Sequence, residues 1–217
     1  MREELHRSMT VTGTGRVSAR PDVLSVSLAV KTQAPTVAQA LADNNQRMTA
    51  VMSALEEHGV QQRDLETTQF TIDAVLQTHD NQPATVVGYQ ASNAVTAKLH
   101  DLEKPGNLEA AGATIDAAVK AGGDASRLQG ISFSIEDPAP LLTKARAQAV
   151  QDAQAKARQL AEGAGTTLGE VITISESQVS MPPSGLRFAA DAAAPIAPGE
   201  QEVTATVTID YELLVRK

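Results

Sequence analysis

The sequence predicts an α+β protein made of duplicated strand–helix–strand units, forming two packed sub-domains of mixed or antiparallel sheet with helices on one face. Three observations predict this. Apolar residues alternate with a period of two in several runs, they recur at helical spacing in three others, and Gly residues mark each passage from helix back to strand.

The elements follow in order. Val11, Gly13, Gly15 and Val17 alternate, a turn at Arg20-Pro21-Asp22 intervenes, and Leu24, Val26, Leu28 and Val30 continue on one face, so the opening reads as a strand pair. Thr36 with Gln39 three residues on forms a capping box after Pro35. Leu41, Met48, Val51, Met52 and Leu55 make the apolar stripe of the first helix, and Gly59 ends it. Phe70, Ile72 and Ala74 mark a strand at about 65–76. Val87, Tyr89, Ala91, Val95, Ala97 and Leu99 predict a long strand, followed by a helix through Leu108, Ala111, Ile115 and Val119 that stops at Gly122-Gly123. A short strand covers Ile131 to Ile135.

Asp137-Pro138 opens an Ala-rich third helix, with Asp as N-cap and Pro at the first helical position. Gly163 and Gly165 end it, and Val171, Ile172 and Ile174 form a strand. Residues 177–199 hold Pro182, Pro183, Pro195 and Pro198 and read as a long flexible loop. Val203, Ala205, Val207, Ile209, Tyr211 and Leu213 face inward on a closing strand. A shift of 63 residues lays Gly59 on Gly122, Leu65 on Leu128 and Phe70 on Phe133, which predicts an internal repeat with both Phe residues buried at equivalent positions. The organisation expected is a tail at 1–9 and a domain at 10–217, with sub-domain A at about 10–76 and sub-domain B at about 85–217.

Composition limits the function classes. The net charge of −8 argues against nucleic acid, whose binding rests on neutralising phosphates. The chain has no Cys, hence no disulfide, thiol chemistry or zinc-thiolate site. No apolar run approaches the roughly 20 residues that span a membrane as a helix. The opening Met1 to Arg7 has charge but no apolar core, so no export signal is expected there. That points to the cytoplasm, or to the periplasm or exterior where a signal has been removed.

Candidate chemistry is sparse. Gly13-Thr-Gly15 lacks the third Gly and the following helix of a dinucleotide fingerprint, so it reads as a close backbone approach within a strand. His6, His58, His79 and His100 are scattered, and no metal set is expected. Asp22, Asp64, Glu66, Asp80 and Glu176 show no pairing in sequence, and a G-x-S-x-G elbow is absent. No catalytic residue, cofactor or metal is therefore predicted.

The ordered motifs resemble the SIMPL-domain family of bacterial proteins, formerly a domain of unknown function that includes periplasmic or outer-membrane immunogenic proteins. Val11-Thr-Gly13-Thr-Gly15-Arg-Val17-Ser-Ala19-Arg-Pro21-Asp22 is similar to its opening. Gly59-Val60 with Asp64-Leu65-Glu66-Thr67 is similar to the segment after its first helix, and Gly88-Tyr89-Gln90-Ala91-Ser92-Asn93 to its central strand. Ala149, Asp152-Ala153, Lys156-Ala157, Leu160-Ala161, Gly165, Leu168-Gly169 and Glu176 complete the match over roughly 10–215. The resemblance implies envelope- and stress-related roles, homo-oligomeric assembly and, in some animal members, kinase-associated signalling. It implies no catalytic set.

The function expected is a non-enzymatic, self-assembling binding or structural protein of SIMPL type. The alternatives are a signalling adaptor that binds a protein partner and an uncharacterised hydrolase. With three Phe, two Tyr and no Trp, the monomer has few large side chains to bury, which favours burial between subunits. Met181, Leu186 and Phe188, in a segment too apolar for a solvated linker, are the expected oligomer contacts.

Overall fold

A computed structural model describes residues 7–77, 83–180, 184–186 and 197–215. In chain order the first elements are β1 (Ser8–Ala19), β2 (Val23–Ala34), α1 (Val37–Glu57), β3 (Leu65–Gln77) and β4 (Thr85–Leu99). They are followed by α2 (Asn107–Gly122), β5 (Ser126–Ser134), α3 (Ala139–Gly163), β6 (Thr166–Ser180), β7 (Ser184–Leu186) and β8 (Gln201–Val215). One-turn 3₁₀ helices at Gln62–Asp64 and Gly123–Ala125 lead into β3 and β5. The α+β class holds, and both sheets are antiparallel.

The two compact units divide the chain differently from the sequence halves. One unit takes Met1–Arg20, Ile135–Pro182 and Gly199–Lys217, and the other takes Pro21–Ser134 and Pro183–Pro198. The expected opening strand pair is corrected accordingly: β1 pairs with β8, while β2 pairs with β4 and β5. Period-two alternation identifies a strand and its buried face, but the partner is chosen by long-range packing.

The first unit is a three-stranded sheet, β1–β8–β6, with α3 on one face. Val11, Gly13, Gly15 and Val17 lie opposite Ile209, Val207, Ala205 and Val203, so all share the face under the helix. Val203, Ala205, Val207, Ile209 and Tyr211 are buried, as their alternation predicts. On the other face the hydroxyls of Thr10 and Thr173 both donate to Asp210, joining three strands side by side. Those two donors hold the Asp210 carboxyl below its ordinary value. The Ala-rich helix covers its own sheet. Ala145, Ala149, Ala153, Ala157 and Ala161 form a fully buried stripe, while Ala147 and Ala155 are exposed.

The second unit is a five-stranded sheet, β3–β4–β2–β5–β7. Its first four strands and two helices run β2–α1–β3–β4–α2–β5, two interleaved split βαβ units in the ferredoxin-like order. Thr36 caps α1 by accepting from the Gln39 amide at 3.3 Å, as the capping box predicts. At the far end Gly59 takes φ +95°, so its amide reaches Glu56 O and the Val60 amide reaches Leu55 O. This closing turn leaves Val60 packed in the same core as Leu55. Leu24, Val26, Leu28 and Val30 of β2 meet Met48, Val51 and Leu55 of α1 and Ile115 and Ala118 of α2 in that core.

The predicted equivalence of Phe70 and Phe133 fails. Phe133 is 2% exposed in the core below the helices, whereas Phe70 is 49% exposed. The reason is positional: β5 lies beside β2 within the covered sheet, and β3 is its edge strand. The glycines also fall out of step with the 63-residue shift, because the left-handed counterpart of Gly59 is Gly123 at φ +61° and not Gly122. The segment read as one loop at 177–199 is partly strand. β6 runs on to Ser180, and β7 adds to β5 through Ser184–Leu186.

Candidate functional site

Gly13 and Gly15 serve packing. A Cβ built on Gly13 would lie 2.0 Å from Ala149 O, and one on Gly15 would lie 1.9 Å from Ala145 O. The absence of side chains lets the α3 backbone rest directly on β1. The two elements stay in step because four helical residues advance about 6.0 Å and two strand residues about 6.6 Å. Each step of four along α3 therefore meets a step of two back along β1.

The same matching closes the outer edge of β1. Gln148 accepts from the Arg16 amide at 3.1 Å, and Asp152 accepts from the Thr14 amide at 2.8 Å. Lys156 donates to Thr12 O at 3.1 Å and to Asp152 at 2.7 Å. Backbone groups that would otherwise invite a foreign strand are thus occupied by three side chains of the chain's own helix. The Lys156 ammonium and the Thr14 amide hold the Asp152 carboxyl below its ordinary range.

The edge at β3 is different. Its thirteen residues contain no Lys, Arg or Pro to deter pairing. Phe70 pairs with Asn93 and Asn93 with Val30, so Phe70 shares the face that carries α1 and α2. Ile72, Ala74 and Leu76 continue that row, and Val86 of β4 stands beside Leu76. The helices cover β2, β4 and β5, but Phe70, Leu76 and Val86 remain about half exposed. An apolar strip therefore borders the outer strand edge of the described sheet. Leu186 is placed through its backbone in β7, opposite Ile131. Met181 and Phe188, also expected as contacts, lie outside the described residues, as do His6, His79 and Asp80.

A cleft of about 260 Å³ gathers the remaining His residues. Its walls are the turn after α1 (His58 to Gln61), Asp64, the end of β4 with the residues just beyond it (Lys98 to Asp101), and the first turns of α2 (Asn107, Ala110, Ala111, Thr114). Sequence spacing shows His58 and His100 as scattered; the closing turn at Gly59 and the split βαβ path bring them to one cleft. His58 Nδ1 lies 2.8 Å from Ala54 O, a group that only accepts, so Nδ1 carries the proton and Nε2 is left for other contacts. His100 Nε2 lies 3.2 Å from Asp64 Oδ1 and donates to that carboxylate.

The wall beyond β4 is fixed by its backbone. Asp101 has φ 61°, the positive value for a non-Gly residue among those described. Its carbonyl accepts from Asn107 Nδ2 at 2.9 Å and from the Lys104 amide at 3.0 Å, and its carboxylate pairs with Lys104 at 2.8 Å. Asp64 and His100 form a dyad, but Thr114, the one hydroxyl in the cleft lining, donates to Ala110 O. Among the described residues no three His, Asp or Glu side chains are grouped to hold a metal ion. Glu176, another carboxylate considered from sequence, is bound by Arg146 in the other unit, which lowers its pKa.

Two antiparallel sheets, a glycine-bared strand under an Ala-striped helix, and a polar cleft that holds the Asp64–His100 pair define a class of α+β protein. The SIMPL family, described as a protein of unknown function (DUF541), matches residues 9–211, and the chain belongs to that family. It is similar to the 26 kDa periplasmic immunogenic protein of Brucella melitensis biotype 1, at 32% identity over 220 residues. That alignment covers 94% of this chain and 84% of the relative. It is also similar to the uncharacterized protein YggE of Escherichia coli K12, at 26% identity over 206 residues, covering 94% of this chain and 80% of the relative. Neither name carries an enzymatic activity. No helix among the described residues is long and apolar enough to cross a membrane.

Proposed function

We propose that this chain is a non-enzymatic, self-associating protein of the bacterial envelope, working in the periplasm. The observation that carries the reading is the contrast between two sheet edges. The β1 edge is occupied by Gln148, Asp152 and Lys156, whereas β3 is the outer strand among the described residues, with only Glu66, Asp73 and the register shifts at Thr67/Gln69 and Val75/Leu76 to deter pairing, and is flanked by exposed Phe70, Leu76 and Val86. An open edge with an apolar margin is the surface that a second strand covers. Antiparallel pairing of β3 with its own copy about Thr71 would set Phe70 against Ile72 twice, and would keep Glu66 and Asp73 off one another. Closed symmetric assembly hides both edge and margin. The periplasmic address is supported by the name of the Brucella relative. The segment holding Met181, Leu186 and Phe188 is proposed as a second contact region.

The same edge favours one further reading, an adaptor that receives a strand from a different protein. Light scattering on the purified chain over a hundredfold concentration range separates them. A defined oligomer is expected. A monomer throughout would overturn self-association and leave the adaptor.

A further inference from the structure

We propose that the end of the β3–β4 hairpin is an arm that docks on a second copy of this chain, along the first residues of that copy's β3 and up to the rim of its cleft. This contact deepens the self-association proposed at β3 and rests on it. Among the described residues β2 pairs with β4 no further than Tyr89, opposite Ala34. β3 and β4 go on pairing, with Val75, Leu76 and Gln77 opposite Gly88, Val86 and Thr85. The hairpin thus runs past β2 as a two-stranded ribbon, a structure that is marginal in water by itself. Its side chains are apolar and in solvent: Leu76, Val86 and Val87 are each about half exposed. A ribbon of this composition gains by lying against protein.

The register of β3 against itself selects a second copy as the occupant. The shift between Thr67 and Gln69 leaves Thr68 as an extra residue of β3, whereas the shift between Val75 and Leu76 puts its extra residue, Val87, in β4. With a two-fold axis at Thr71, Phe70 faces Ile72 and Gln69 faces Asp73. Past the bulged Thr68, Thr67 faces Ala74, Glu66 faces Val75 and Leu65 faces Leu76. Every pair then matches by face. Leu65, Thr67 and Phe70 share the helix-bearing side with Ile72, Ala74 and Leu76, as their partners in β4 show. No two like charges stand opposite each other. A strand that is complementary to itself in this way meets the demand of an isologous two-fold contact. Leu65 packs against the core, so Leu76 of one copy extends the core of the other. One residue further, Gln77 comes to Asp64, which lines the cleft and holds His100. In the assembled protein the rim of each cleft is therefore formed by two chains.

The chain has no Cys, so engineered thiols report on this contact without interference. Glu66→Cys combined with Val75→Cys tests the arm. The two positions lie about 30 Å apart along one strand, and a disulfide spans Cα atoms only about 4–7 Å apart, so any bridge between them joins two chains. Thr71→Cys alone tests the axis. Mild oxidation of the dilute full chain, followed by non-reducing electrophoresis, should give a covalent dimer in both cases. Lys144→Cys, at an exposed position of α3, is the control and should stay monomeric. A dimer from Thr71→Cys with none from the Glu66/Val75 pair would overturn the arm and leave the pairing of β3 standing. No dimer from either would overturn both, and an equal yield from the control would mark the bridges as random collisions and overturn the arm. A second variant leaves β3 untouched: Val86→Ser with Val87→Ser should keep the circular dichroism and weaken association at least about tenfold by sedimentation equilibrium. Unchanged affinity there would also overturn the arm.

Discussion

The carbonyl oxygen of Ala149 lies 2.0 Å from the point at which a side chain on Gly13 would begin. No real Cβ tolerates that separation, so helix and strand can meet this closely because position 13 is Gly. The contact also sets the height at which Gln148, Asp152 and Lys156 reach over the strand to its outer edge. One glycine-driven approach therefore supports both the core of the unit and the protection of its edge.

Substituting Gly13→Ala or Gly15→Ala should destabilise the first unit by about 3 kcal/mol or more, because backbone would have to retreat from backbone. Gly112→Ala supplies the contrast. Its Cβ meets nothing within 4 Å, and it lies inside α2, so a gain of about 1 kcal/mol is expected. Urea unfolding measures both. Equal effects at the two kinds of site would contradict the packing account.

Much of this was legible before the structure. Thr36, Gln39 and Gly59 announce the ends of α1, and the alternation from Val203 to Tyr211 names the buried face of β8. These are local rules, and local rules survive. Partner choice is not local: nothing in the strand pattern says that β1 pairs with β8 instead of β2. Phe70 shows a further limit, since alternation tells which residues share a face but not whether a helix layer extends over it. The cleft was illegible for the same reason. His58 and His100 lie on different elements, and the signal that could have pointed to them was Gly59, whose turn fixes where His58 emerges.

Acid should weaken the clamp on β1. The Asp152 carboxyl is held below its ordinary value of 3.8 by Lys156 and the Thr14 amide. A depressed folded-state pKa contributes stability that is present above the unfolded value and lost as pH falls through the folded one. Asp152→Asn keeps an oxygen acceptor and removes the charge, so its stability should fall less than the wild type's between about pH 5 and pH 2. The side chain is about a third exposed, 35%, so the difference should be small and should shrink with salt. Thermal melts across that range at low ionic strength check it. Parallel curves for the two proteins would remove Asp152 from the account.

Asn44 is fully buried, and its amide donates to Val30 O at 2.9 Å and Ala91 O at 3.2 Å. It thereby ties α1 to two neighbouring strands. Asn44→Ala should cost about 1–3 kcal/mol by leaving those acceptors with one donor fewer. Asn44→Asp should cost more, about 3–5 kcal/mol, because a buried carboxylate would face two carbonyl oxygens. Part of that loss should return on acidification, when the protonated acid can donate again. An Asp variant as stable as the Ala variant at neutral pH would show that the amide donors are not what matters there.

The strip beside β3 yields the prediction that bears most directly on function. Phe70 and Leu76 are 49% and 58% exposed, so replacing both with Ser removes little that the isolated chain buries. Surface changes of this kind usually lie within about 0.5 kcal/mol, and the monomer fold should stand. Assembly through β3 would respond differently, since each copy would lose two large apolar side chains at about 25 cal/mol per Å² of area covered. The double variant should therefore show unchanged circular dichroism and melting under dilute conditions, together with a lower mass in solution. A parallel variant with Met181→Ser and Phe188→Ser probes the other proposed contact region and leaves the β7 residues Ser184–Leu186 in place. If the β3 variant keeps its parent's mass while the second variant loses it, association runs through the 181–188 segment and the β3 edge has some other use. Loss of mass in the β3 variant alone would assign the contact to the edge that no helix guards.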